Sequence, residues 1–187
     1  MSEQAHLDPA APVPAHTGAE RPRQAFTYGI AGLIVALDQA AKAVVRSELP
    51  LHESVSLIPG LLDITHVQNS GAAFGILNAT DFPFKGAIML AVAIAAFIAI
   101  AYYATQLPAR DRLARIGLTL VLGGAVGNLI DRAATGYVVD FVDVYWGGWH
   151  FWAFNVADAA ITAGAALVLL DLVGARRRTP EGAASAQ

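Results

Sequence analysis

Cysteine is absent from this 187-residue chain. That excludes disulfides, thiolate metal sites and a thiol nucleophile, and it means the chain cannot carry a lipid on a cysteine of its own. Charge is scarce as well: 14% of residues are charged, where a soluble domain carries about 25%. The shortfall is gathered into long apolar blocks, mean hydropathy is +0.50, and 56% of residues are hydrophobic, so the expected solvent is a bilayer. A net charge of only -3 offers no field for a nucleic-acid partner. An HExxH zinc motif and a nucleophile-elbow serine are also missing, and His52, His66 and His150 lack metal-ligand spacing. The pair Gly123 and Gly124 lacks the lysine of a phosphate loop.

Four stretches reach the roughly 20 apolar residues that a spanning helix needs: Phe26–Val45, Phe84–Thr105, Ile116–Ala134 and Phe154–Val173. The first holds Asp38 and Lys42 and is longer than a secretory h-region, so a retained helix is expected. The third contains Gly117, Gly123, Gly124, Gly127 and Asn128, a composition that suits close packing against other helices. Arginines cluster before the first span, between the second and third, and after the fourth. By the positive-inside rule both termini face the cytoplasm, and the segments 47–83 and 136–153 face outward. Residues 1–24 read as a disordered cytoplasmic tail, 25–174 as a four-helix membrane domain and 175–187 as a second cytoplasmic tail.

In the first outer segment, Ser54–Ile58 and Leu62–Val67 alternate apolar and polar residues around Pro59 and Gly60. This predicts a small extracytoplasmic sheet, the alternative being an ordinary ordered loop. The second is crowded with Tyr137, Tyr145, Trp146, Trp149 and Trp152, rings that favour the headgroup level.

Polar residues inside apolar spans are costly and mark functional candidates. Asp38 and Lys42 stand one turn apart, acid before base; they are either a neutralised structural pair or part of a site. Asn128, Asp131 and Arg132 share one face of the third span, suited to gripping something polar or to tying helix to loop. Asp140 follows the β-prone Tyr137–Val139 run, and Asp158 stands near the start of the fourth span with Asn155 one turn earlier. A lone buried Asp is often only a helix cap. Two arriving at one membrane depth suggest a shared site, where paired carboxylates hold one proton between them, one activating water while the other donates. The low dielectric of the membrane edge sharpens that split.

The blocks DQAAK (Asp38 to Lys42), NSGAAFGIL (Asn69 to Leu77), GGAVGNLIDR (Gly123 to Arg132), VVDFVDVYW (Val138 to Trp146) and FNVADAAI (Phe154 to Ile161) together resemble, in content, order and spacing, the signature of the lipoprotein signal peptidase (signal peptidase II) family. The resemblance implies four transmembrane helices with an outward sheet cradling the substrate. It implies an aspartic endopeptidase of the bacterial cytoplasmic membrane, working near its extracytoplasmic face without metal or organic cofactor. The substrates would be diacylglyceryl-modified prolipoproteins, cut before the lipidated cysteine, and globomycin-type cyclic peptides would inhibit. It assigns catalysis to Asp140 and Asp158, and lining or bracing of the site to Asn69, Asn128, Asp131, Arg132 and Asn155. Asp38 and Lys42 match a further block whose role is left open. Small residues before the scissile bond would fit beside the backbones of Gly71 to Phe74 and Gly123 to Ala125, and lipid acyl chains would remain in the bilayer. Two positions depart from the family pattern: Trp152 stands where proline is frequent, and Ala159 where serine commonly follows the second Asp. Two other classes compete with the peptidase reading. A proton-coupled carrier is disfavoured by the lack of an inverted repeat; the other is a lipoprotein assembly factor.

Overall fold

All four apolar stretches are helical in the computed structural model, which describes residues 21–71, 82–108 and 110–178. The first 20 residues of the expected N-terminal tail, residues 72–77 of the NSGAAFGIL block and residues 179–187 of the C-terminal tail lie outside the described residues. Helix α1 spans Arg21–Glu48, α2 Lys85–Gln106, α3 Arg112–Thr135 and α4 Val156–Arg178. Each is long and apolar enough to cross a membrane. The helix ends differ from the apolar boundaries because hydropathy marks only the part that needs lipid. Polar residues extend α1 at both ends, whereas α4 starts two residues later than the apolar run, where its cap allows.

The segments joining α1 to α2 and α3 to α4 contribute one antiparallel sheet in the order β1 (Ser54–Ile58), β2 (Leu62–Asn69), β3 (Val138–Trp146) and β4 (Trp149–His150). The hairpin read from the alternating pattern is therefore present, with β2 running two residues further, to Asn69. Strand β3 joins the sheet by pairing with β2, where Val67 faces Asp140 and Asn69 faces Val138. A register shift between Ile64 and Val67 acts as a bulge that re-aims the strand. The chain turns from α3 into β3 through Gly136, whose φ of 83° and N–H bond to the Arg132 carbonyl close the helix. That left-handed cap is open to glycine at little cost.

Helix α3 packs against all three other helices, and α2 touches little besides α3. Its small residues are the reason, as the composition predicted: a Cβ on Gly124 would collide with the Ala157 carbonyl oxygen, and one on Gly117 would stand 2.6 Å from the Gly164 carbonyl oxygen. Bulky apolar side chains on α2, such as Val92, Ile98 and Tyr102, face outward, as expected where lipid is the solvent. The apolar core proper is small. Its main cluster is Val45, Val139 and Phe141, where β3 meets the end of α1. Beside Val138 and Val139, the most deeply buried large side chains among the described residues are the polar Asp38, Lys42, Asp131 and Asn155.

Replacing Gly124 with Ala is expected to lower thermal stability in detergent by about 1–3 kcal/mol, because the Ala157 backbone is not a flexible neighbour. Gly32, with nothing within 4 Å of an added Cβ, is the control. Gly32→Ala should leave the melting temperature unchanged or slightly raised, and equal melting of the two variants would show that the close helix approach is not needed.

Candidate active site

Asn155 ends the extended segment that enters α4 and caps the helix. Its Oδ1 accepts the Asp158 backbone N–H at 2.8 Å, the N-cap to N3 bond that satisfies an otherwise orphan donor. Because an N–H can only donate, the amide oxygen is committed to that side and the amide nitrogen must face the other way. It donates to Asp140 Oδ1 at 2.7 Å, with longer contacts to the Val139 carbonyl and Asn128 Oδ1 at 3.3 Å each. One amide thus ties the second carboxylate's helix to the first carboxylate's strand. The Phe154 carbonyl holds the same junction by accepting the Phe141 and Val142 N–H groups.

Asp140 is almost fully buried on β3. Asn69, diagonally across the ladder on β2 and on the same face, donates to its Oδ2 at 3.0 Å. Asp140 is pushed up to about 7, first by burial and then by the Asp158 charge; the bonds from Asn69 and Asn155 and the Lys42 charge pull the other way without cancelling it. Asp158 Oδ1 accepts a 2.8 Å bond from Asn128 Nδ2. Arg132 lies within electrostatic reach of Asp140, Asp158 and Asp131 and donates to the Gly71 carbonyl at 3.1 Å, while the Gly71 N–H bonds Asn69 Oδ1 at 3.0 Å.

Beneath these lies an ion cluster. Lys42 Nζ, with no solvent exposure, stands 2.7 Å from Asp38, 2.9 Å from Asp131 and 2.9 Å from Asn128 Oδ1. Asp38 reaches across to the Ala157 N–H in the first turn of α4 at 2.9 Å. Asp131 also accepts from Arg46 at 2.8 Å and from the Val139 N–H at 3.3 Å.

All ten residues singled out in the sequence therefore fall in one connected network: Asp38, Lys42, Asn69, Gly71, Asn128, Asp131, Arg132, Asp140, Asn155 and Asp158. Two of its members went unread. Gln39 bonds the Gly127 carbonyl at 3.0 Å and Asp38 and Asp131 at 3.3 Å; its signal was a second polar residue in an apolar span. Arg46, one turn beyond Lys42 in the last turn of α1, has in sequence only the look of a charge at a helix end. One expectation is corrected. Gly123 and Gly124 do not offer backbone to a substrate, because Ala31 of α1 and Ala157 of α4 already occupy the space beside them. Of the Gly71 to Phe74 run, residues 72–74 lie outside the described residues. Among the described residues no group of three or more His, Asp or Glu side chains is disposed to hold a metal ion.

The arrangement suits hydrolysis: two carboxylates at one end of a helical bundle, one of them held near neutrality, oriented by amides and flanked by a guanidinium. Comparison with known proteins agrees. A family model described as signal peptidase (SPase) II matches residues 30–174. The lipoprotein signal peptidase of Geobacter metallireducens is 44% identical over 149 residues, 80% of this chain and 91% of that protein. That of Solibacter usitatus is 43% identical over 151 residues, 81% of this chain and 92% of that protein. A solved bacterial membrane enzyme superposes with a TM-score of 0.74 at 31% identity, covering 83% of this chain and 92% of that one.

The raised Asp140 value carries a stability signature. An unfolded aspartic acid releases its proton near 3.8, the folded site near 7. The group's stabilising share is complete below about 3.8, declines as pH rises because the unfolded chain ionises first, and is gone above about 7. Asp140→Asn has no such titration. The melting temperature of this variant relative to the unaltered protein should climb between those values and then level off. A difference independent of pH would refute the assignment.

Proposed function

This chain belongs to the lipoprotein signal peptidase family, and from that premise we propose that Asp140 and Asp158 are its catalytic dyad. The enzyme is a multi-pass membrane aspartic endopeptidase that removes signal peptides from lipoproteins. The observation that carries the residue assignment is the Asn155 amide, which binds the Asp158 backbone through its oxygen and the Asp140 carboxylate through its nitrogen.

In the proposed reaction the pair shares one proton. Asp140, pushed to about 7, supplies the carboxylic acid; Asp158 accepts a proton from water as the water oxygen attacks the scissile carbonyl carbon. The Asp140 proton passes to the carbonyl oxygen, forming a neutral tetrahedral diol. Collapse breaks the C–N bond as Asp158 passes its proton to the leaving nitrogen and a diol hydroxyl gives its proton to Asp140, which restores the carbonyl and the one-proton pair. Arg132, which already grips the Gly71 carbonyl, has the planar fork to hold a substrate peptide carbonyl. The preferred substrates are diacylglyceryl-modified prolipoproteins, cut before the lipidated cysteine. A lipid already in the bilayer gains little by moving beside the protein, so it selects by placing the bond at the right depth. Globomycin-type peptides act here as inhibitors.

The enzyme sits in the bacterial cytoplasmic membrane with both termini cytoplasmic and the dyad near the outer face. Supporting this, the sheet lies at the bundle end opposite the Arg110, Arg112 and Arg115 connection, and the rings of Trp146, Trp149 and Trp152 stand exposed beside it. The domain division of residues 1–24, 25–174 and 175–187 belongs to the same proposal, although helix α1 already begins at Arg21.

Asp140→Asn and Asp158→Asn should each cut the cleavage rate of a purified lipid-modified prolipoprotein by at least about a hundredfold, with the variant still accumulating in the membrane. Full activity in either removes the dyad assignment. Arg132→Ala should raise KM roughly tenfold, as expected for losing a bond from a charged donor. A variant that is merely unfolded would leave Arg132 a tie between helix and loop. Bound globomycin should raise the melting temperature of the unaltered enzyme.

A further inference from the structure

Every N–H of the Lys42 ammonium has its own acceptor: Asp38 at 2.7 Å, Asp131 at 2.9 Å and Asn128 Oδ1 at 2.9 Å. Ammonium has donors and no acceptor, so the Asn128 atom facing it has to be the oxygen. The amide is planar, which leaves Nδ2 on its far side, 2.8 Å from Asp158 Oδ1. We infer that Lys42 is a positioning residue for Asp158, acting through Asn128: by holding the amide oxygen it determines that an N–H, and not a lone pair, meets the carboxylate. A neutral apolar residue at position 42 would let the amide turn over and set its oxygen against Asp158, an acceptor against an acceptor.

Two further observations support this. Asp38 and Asp131 alone could have neutralised a simple structural ion pair, Asp131 being already matched by Arg46 at 2.8 Å; the third acceptor connects the cluster to the dyad. Asn128 Oδ1 also receives Asn155 Nδ2 at 3.3 Å, an amide whose own orientation is set by the Asp158 N–H. The two asparagines are thereby oriented by two obligate donors, Lys42 for one and the α4 backbone for the other, and each presents an N–H to one member of the dyad.

This inference rests on the dyad assignment, and the test separates the two. Removing Lys42 alone strands a buried carboxylate, so the comparison is made in an Asp38→Asn background, which keeps Asp131 paired with Arg46. There, Lys42→Met should lower kcat about tenfold or more relative to Asp38→Asn, the size of a lost bond to a charged group, with KM for a lipid-modified prolipoprotein unchanged. Lys42→Gln, which restores an N–H donor, should recover most of that loss. Asn128→Ala added to the Lys42→Met background should cost no more than Asn128→Ala alone, since both break one chain of contacts. Unchanged kcat in Lys42→Met, full additivity with Asn128→Ala, or equal loss in the Met and Gln variants overturns the inference. So does failure of both Lys42 variants to accumulate while Asp38→Asn does, because Lys42 is then needed only for folding. If Asp140→Asn or Asp158→Asn is itself fully active, the dyad reading has failed instead.

Discussion

An ammonium group with no contact to water has to be compensated completely, and in this bundle Lys42 is compensated by three acceptors drawn from two helices. Asp38 comes from its own helix, while Asp131 and Asn128 come from α3. Asp38 then extends the link to the first turn of α4 through the Ala157 N–H, and Asp131 extends it to β3 through the Val139 N–H. Desolvating these charges costs several kcal/mol per ion, so the cluster is poor evidence of extra stability. What it supplies is exclusivity of arrangement. Sliding α1 against α3 by one residue would part buried Asp131 from both Lys42 and Arg46 and Asn128 from Lys42, and apolar helices in lipid have little else to fix their register.

That fixed register matters because the two candidate carboxylates reach the site by different routes. Asp140 rides on a strand whose position depends on pairing with β2, and Asp158 rides on the third residue of a helix. A helix N-terminus needs a cap in any case, and Asn155 serves as one. Its other end bonds Asp140, so the bond that starts α4 also sets the spacing of the pair. Asp158 is thus near a cap without being one. The glycines of α3 complete the arrangement by letting α4 approach closely enough for Asn128 to reach it.

Much of this was legible because polar residues in apolar spans are so few that each one is conspicuous. Asp38, Lys42, Asn128, Asp131 and Asp158 were visible for that reason, and the hairpin was visible from period-two alternation in Ser54–Ile58 and Leu62–Val67. Strand β3 was read only as far as Val139, since VVDFVDVYW is buried on both sides at its start and shows no clean alternation there. Gln39 was hidden by its neighbour Asp38, and Arg46 by resembling an interfacial charge. The use of Gly123 and Gly124 was misjudged because small residues announce a close approach without naming the partner: a substrate backbone and a neighbouring helix leave the same mark in sequence.

The charges of the network lead to one more consequence. Linked through these contacts are four carboxylates, Asp38, Asp131, Asp140 and Asp158, and three cations, Lys42, Arg46 and Arg132. With all seven ionised, the cluster would carry an uncompensated negative charge at the edge of a low-dielectric medium, the condition that buried sites avoid. A single proton makes it neutral. On the proposed dyad the proton belongs to the pair, because Asp38 and Asp131 each bond directly to a cation, whereas the side-chain bonds described at Asp140 come from amides. For the proposed dyad, the one-proton state that aspartic hydrolysis requires is therefore the electrically neutral state of the network, so the same charge balance that holds the helices together would also prepare that pair for reaction.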